Sequence, residues 1–172
     1  MLKILSLTLS VVGTVFIVIL VTGYLVNEEY KGEKQMLVDY EPLHVMKILT
    51  EFNNMEEGKR DVKSMELTGK YLGLYAWKEN LKNGGFRRYR QIEKTENKIV
   101  VEMTESTYGV TGTWEFKINR EVGRTKITIR EDSICKNILR RGLLFYLGRD
   151  KETTDWMKFI RVRLFKRLLT TP

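Results

Sequence analysis

Hydrophobic and polar positions change rhythm three times along this chain, and each rhythm predicts a different element. From Ile4 to Val26 there are 23 residues without a charge, mostly Leu, Val and Ile. As a helix that run is about 35 Å long, enough to cross a bilayer with some tilt. From Asp61 onward the rhythm falls to two. In "TWEFKINREVGRTKITIRED", Trp114, Phe116 and Ile118 share one side against Glu115 and Lys117, and Ile127 and Ile129 continue an apolar face after the turn at Glu121, Val122 and Gly123. Strands are predicted near 61–68, 72–79, 86–93, 98–105, 112–119 and 125–133, parted by turn signals such as Asn83-Gly84-Gly85 and Glu96-Asn97. Six strands with short connections make an antiparallel meander.

The third rhythm is helical. Val45, Ile48, Leu49 and Phe52 follow Pro42 at helical spacing, and "MLVDY" before them reads as a first strand. Near the end, Met157, Ile160, Leu164 and Leu168 form a stripe while Lys158, Arg161, Arg163, Lys166 and Arg167 cover much of the remainder, with Asp150 or Thr153 as the N-cap. This long basic amphipathic helix needs a surface to pack on.

The apolar run has a competing reading as a cleaved secretory signal, with Lys3 as its basic flank and Val21-Thr22-Gly23 as the cleavage site. Its length favours an uncleaved single-pass anchor. Residues 1–27 are therefore expected to be the anchor, 28–34 a polar juxtamembrane linker, and 35–172 one domain with its own core, predicted to be a monomer. The charge flanking the run is weak on both sides and leans towards a domain outside the cytoplasm.

Charge refines the picture through its distribution. The formal net charge is +8, yet residues 28–135 balance at 19 basic against 19 acidic, whereas residues 136–172 carry ten basic and three acidic. The basic surplus sits in the tail, where it either meets anionic headgroups beside a tethered chain or simply solvates the outer face of a helix; no exposed aromatic platforms interleave with it, so no nucleic-acid partner is expected. The single Cys135 excludes an intramolecular disulfide and a cysteine metal cluster. His44, the only histidine, stands beside a predicted helix start without triad partners, which makes it a solvated or capping residue. No phosphate loop, dinucleotide fingerprint or metal-ligand spacing occurs, so no cofactor or metal is implied.

The order of elements is that of the helix-grip fold, an α+β arrangement in which a curved antiparallel sheet of about seven strands wraps a long C-terminal helix, here behind an N-terminal transmembrane helix. Several short segments sharpen this. "HVMKILTEFNN" resembles the opening "VW..LTDF" helix of the SRPBCC superfamily, the START-like and polyketide cyclase/dehydrase group, and in particular its membrane-anchored bacterial members. Trp77 and Glu79 resemble its "W.E" strand, "TGTWEFKI" its "GTW.YEL" strand, and "GRTKITIREDSICKNILR" its "GT.VTITE.GEI.NP..R" segment. Met55, Gly58 and Ile138 depart from the pattern, which implies a different entrance shape.

The resemblance implies a pocket between sheet and last helix. Tyr75, Trp77, Tyr89, Met103, Trp114, Phe116, Ile127, Ile129 and Ile160 are its candidate lining, or else plain core. Glu79 shares a strand face with Trp77, and Glu131 falls in phase with Ile129, so both carboxylates point inward. There they either pair with an arginine such as Arg88 or Arg90, or orient the polar head of a ligand. The run "GLLFYLG" after Arg140 and Arg141 reads either as a short core element or as a membrane-touching lip, in which Leu143, Leu144 and Phe145 dip into the interface while Arg140 and Arg141 meet headgroups.

Three functional readings follow: a membrane-tethered binding or carrier domain for a lipid, quinone or similar amphiphile; a cyclase/dehydrase-like enzyme using Glu79 or Glu131 as acid or base; and an interaction module without a ligand. No catalytic residue is assigned.

Overall fold

The computed structural model of the chain describes residues 2–51, 56 and 58–170; Phe52 and Met55 lie outside the described residues, as does the side chain of Leu168. The elements run α1 (Leu2–Leu25), β1 (Glu29–Val38), α2 (Pro42–Thr50), β2 (Val62–Tyr71), β3 (Leu74–Leu81), β4 (Phe86–Lys94), β5 (Lys98–Ser106), β6 (Val110–Glu121), β7 (Arg124–Cys135), α3 (Ile138–Leu147) and α4 (Lys151–Thr170). All seven strands form one curved antiparallel sheet in the order β1-β7-β6-β5-β4-β3-β2. The meander is as the alternation predicts, and the first strand closes it by pairing with the last.

Inward residues of the sheet meet α2 and α4. Val45, Ile48 and Leu49 on α2 and Ile160 and Leu164 on α4 are buried as the stripes require, and Trp156 and Phe159 widen the buried face of α4 beyond them. Trp156 stands at the centre, edge-on to Phe116 at 5.1 Å, to Phe159 at 5.6 Å and to Tyr89 at 6.1 Å between ring centres. Such edge-to-face pairs add roughly 0.5–1.5 kcal/mol each beyond area burial. Asp150 stands directly ahead of α4, its carbonyl accepting from the Thr154 N–H at 2.9 Å and its carboxylate paired with Lys34, whereas Thr153 lies inside the helix with its hydroxyl turned inward to Glu131. His44 is exposed, and the Cys135 thiol is buried and free, donating to the Asn137 carbonyl at 3.6 Å.

The expected linker is corrected. Residues 29–38 form a continuous strand paired with β7 from Glu29↔Ile134 to Val38↔Thr125. Only Met36 on it is buried, since β1 is an edge strand and carries the charged residues that edges use. Backbone pairing and the ion pairs Arg130–Glu33 at 2.5 Å and Lys31–Asp132 at 3.0 Å hold it.

Three residues separate α1 from β1. Within α1, Leu7–Leu25 is long and apolar enough to cross a membrane, and it is almost wholly exposed. Its last turns pack on α3, where the chain ahead of β1 is gripped by two arginines. Arg141 donates from Nε to the Gly23 carbonyl at 2.5 Å and from Nη1 to Glu28 at 2.8 Å and the Cys135 carbonyl at 3.2 Å. Arg149 donates to the carbonyls of Asn27 and Glu29, each at 2.8 Å.

Candidate functional site

Alternation on β3 and β4 turns Trp77, Glu79 and Leu81, and Arg87, Tyr89 and Gln91, towards α4. The two strands are in direct register, so Trp77 faces Tyr89 and Glu79 faces Arg87. The Trp77 and Tyr89 rings stack at 5.2 Å, and behind them Glu79, fully buried, takes Lys59 on Oε1 and Arg87 on Oε2, the latter at 3.4 Å. Lys59 comes from the loop ahead of β2. Its ammonium lies 4.1 Å from the centre of the Trp156 ring, 5.3 Å from Tyr89 and 5.4 Å from Phe159. A desolvated cation held by one carboxylate and three ring faces is strongly located.

Arg87 is the hub. Its guanidinium reaches Asp61 at 2.7 Å and Glu152, in the first turn of α4, at 3.7 Å, besides Glu79. Burial alone would disfavour its charge, but Glu152, Glu79 and Asp61 outweigh that and raise its pKa further. Burial likewise opposes ionisation of Asp61, and Arg87 overturns it, leaving that carboxyl below its usual range. The Tyr89 phenol is pushed up, by burial first and by Glu79 second. The sequence suggested Arg88 or Arg90 as partners for Glu79. Both point outward instead, Arg88 to Glu105 and Arg90 to Glu102, each at 2.5 Å, since residues one apart on a strand take opposite faces.

Beside this cluster is a cavity of about 330 Å³, between residues 58–61, the inner end of β4 and the first three turns of α4. Tyr89, Trp156 and Val162 supply its apolar wall, and its charged lining counts six cations (Lys59, Arg60, Arg87, Lys151, Lys158, Arg161) against Asp61, Glu152 and Asp155. Lys151 is paired with Asp155, and Lys158 reaches that carboxylate only at 3.8 Å. Arg60 and Arg161 are exposed at the rim and have no carboxylate partner among the described residues. The site therefore joins an aromatic floor to a rim with spare positive charge.

Of the lining expected from the sequence, only Tyr89 borders this cavity. Trp77, Met103, Trp114, Phe116, Ile127, Ile129 and Ile160 are at most 1% exposed and fill the space between sheet and helix with one another. Tyr75 is half-buried near the sheet edge, packed against that core. The residues missed were Lys59, Arg60, Asp61, Arg87, Glu152, Trp156 and Arg161. Arg87 was legible, because it is in phase with Tyr89.

Glu131 lies elsewhere, facing Trp114 across β6 and β7 and accepting hydroxyl bonds from Ser133 at 2.7 Å and from Thr153. Burial raises its pKa, and those two hydroxyls pull it back only in part. The hollow next to it is about 20 Å³, room for a water and no more. Among the described residues no three or more His, Cys, Asp or Glu side chains gather as metal ligands do.

The expected lip divides. Leu144 belongs to the core and Arg141 is buried in its grip on Gly23, Glu28 and Cys135, so neither faces outward as the lip reading has it. Arg140 is half-buried with its guanidinium 4.9 Å from the Tyr108 ring, and Leu143 is half-buried. Phe145 is exposed, and Tyr146 and Leu147 join it.

No family model and no curated relative matches the sequence. Solved structures do match the fold. The aromatase/cyclase ZhuI of Streptomyces sp. R1128 superposes with a TM-score of 0.65 at 11% identity, over 80% of this chain and 93% of its own. A protein of Thermus thermophilus gives 0.69 at 10% identity over 83% and 100%, and a START superfamily protein of Mycobacterium smegmatis 0.55 at 12% over 78% and 98%. The chain thus has a helix-grip fold of the SRPBCC type. Here the apolar helix α1 is tied to the end of the sheet by Arg141, and the chain after it by Arg149.

Proposed function

We propose that this protein is a membrane-tethered binding domain that holds one amphiphile with an acidic head, its apolar part on Tyr89, Trp156 and Val162 and its head towards Arg60, Lys158 and Arg161. The cavity carries this reading: its volume of about 330 Å³ falls at the lower end of the range of ligand pockets, and its rim holds uncompensated positive charge. Support comes also from the fold, one solved example of which is an aromatase/cyclase, and from α1, whose length and composition suit a span. A binding role is preferred to a catalytic one because Glu79 and Glu131, the carboxylates that the sequence offers as acid or base, do not border the cavity, and Asp61 and Glu152, which do, are held by Arg87. Glu79 is fully buried and clamped by two cations, and Glu131 adjoins a hollow too small for a substrate.

Tryptophan fluorescence of the detergent-solubilised chain, titrated with octanoate, octanol and octylammonium, tests the reading. Octanoate is expected to bind saturably and tighter than octanol, with octylammonium weakest. Changing Arg60→Gln together with Arg161→Gln is expected to cost about tenfold in octanoate affinity, the size of one charge-assisted hydrogen bond, while leaving octanol unchanged. Equal and unsaturable responses to all three would remove the basis for the proposal.

A further inference from the structure

The apolar edge of α3 is unexplained by the cavity. Phe145, Tyr146 and Leu147, the last three residues of α3, are 54%, 56% and 66% exposed, with the Phe145 and Tyr146 rings 5.3 Å apart, on a helix whose inner residues, Arg141, Gly142 and Leu144, are buried. Three large exposed side chains of this kind in one helical turn are unusual on a surface that meets only water. What covers this one is indicated by the helix beside it. Gly23 and Gly142 touch backbone to backbone: a Cβ on Gly23 would run into the Ile138 carbonyl and sit 3.0 Å from the Gly142 nitrogen, and one on Gly142 would run into the Ile19 carbonyl and sit 3.1 Å from the Gly23 nitrogen. The contact leaves room for no side chain between α1 and α3. Thr22 and Tyr146 add a hydroxyl–hydroxyl hydrogen bond at 2.9 Å.

This contact fixes the depth of α3. Ile19 and Gly23 lie inside the membrane-length stretch Leu7–Leu25, respectively six and two residues before its end. At ~1.5 Å per residue they are ~9 Å and ~3 Å below the last residue of the span. Helices that lie in a bilayer interface bury their apolar face about 5–10 Å deep, which is the same level. The joint is also rigid, since Arg141 holds the Gly23 carbonyl in the last turn of α1 and Arg149 holds the carbonyls of Asn27 and of Glu29 at the start of β1.

We propose that α3 is an interfacial membrane helix, with Phe145, Tyr146 and Leu147 embedded in the headgroup–acyl boundary beside the span, so that the domain is seated on the bilayer in one orientation rather than swinging from a tether. The inference rests on α1 spanning a bilayer. It takes a lipid surface as the partner, and the same α1–α3 fork would present the start of α4, directly after α3, close to that surface.

The test uses the full chain with Cys135→Ala and one new cysteine at a time, Val15→Cys, Phe145→Cys, Leu147→Cys or Val122→Cys, labelled with an environment-sensitive nitrobenzoxadiazole. Each is reconstituted in phosphatidylcholine vesicles containing phosphatidylglycerol. All four native side chains are exposed, and melting curves check that each variant stays folded. Val122 serves as the distant reference, in the hairpin at the far end of the β1–β7 pairing, about 33 Å of strand from the joint. Quenching by lipid labelled deep in the acyl chain is expected at position 15, quenching by shallow-labelled lipid at 145 and 147, and neither at 122. Quenching at 15 with 145 and 147 as bright as 122 would overturn the seating of α3 and leave the anchor intact. No quenching at 15 would overturn the anchor itself, and with it the inference.

Discussion

Gly142 of α3 packs against Gly23 of α1 with no side chain between them. Replacing Gly142 by Leu places atoms where the Ile19 carbonyl now lies, and the helices must part. Overpacking of this kind costs about 1–3 kcal/mol per site even where neighbours can yield, and here the neighbour is backbone. The variant is expected to loosen the joint while the β2–β7 meander persists. In detergent, a glutamate-specific protease should then cut at Glu28 and Glu29 at least tenfold faster than in the parent chain, because opening of the joint limits cleavage. An unchanged rate would mean that the glycine contact does not hold α1 in place.

Arg87 is expected to be the most sensitive charged residue. With Arg87→Met, Glu152 and Asp61 lose the guanidinium they share, and Glu79 keeps only Lys59. Removing one partner of a buried ion pair costs about 3–5 kcal/mol. Urea unfolding of the detergent-solubilised chain should show a loss in that range, and Arg88→Met, on the exposed neighbour, a loss of less than about 1 kcal/mol. Comparable losses at both positions would contradict the buried hub.

Glu131 gives the pH dependence. Burial raises its folded-state pKa above the unfolded value, which for glutamate is about 4.3. The folded chain therefore binds the proton more tightly than the unfolded chain, and this group's contribution to stability falls as pH rises from the unfolded value through the raised folded one. Glu131→Gln keeps an oxygen for one of the two hydroxyls, Ser133 or Thr153, offers the other an amide N–H that its oxygen can accept, and removes the buried charge. It should raise the melting temperature at neutral pH, with the advantage vanishing below about pH 4, where the native side chain is itself protonated in both states. A variant less stable at neutral pH would show that the charge of Glu131 is stabilised by its surroundings.

The sequence exposed the sheet well because its inward positions carry large apolar residues at strict alternation, as Trp114, Phe116 and Ile118 do against Ile127 and Ile129. The first strand was missed from Glu29 to Gln35 for a physical reason. An edge strand held by backbone pairing to β7 and by outward ion pairs needs almost no apolar pattern, and the polar text of "EYKGEKQ" looks the same whether paired or free. Glu79 and Glu131 were correctly turned inward by parity. Their partners were not found, because Lys59 comes from a loop with no period and Thr153 from a helix whose relation to β7 is set only by the fold. The cavity escaped for a related reason: large residues such as Trp77 and Phe116 are the same letters whether they fill a space or line one, and the residues that border it are mostly charged.

Native mass spectrometry of the full chain, extracted gently from membranes and released from detergent, tests the central claim most directly. One acidic amphiphile per chain is expected to remain bound, and its occupancy should fall when Val162→Trp fills the cavity or when Arg60 and Arg161 are both changed to Gln. A chain that leaves detergent at its bare sequence mass, with no adduct when mixed lipids are added back and no difference among these variants, would contradict the account.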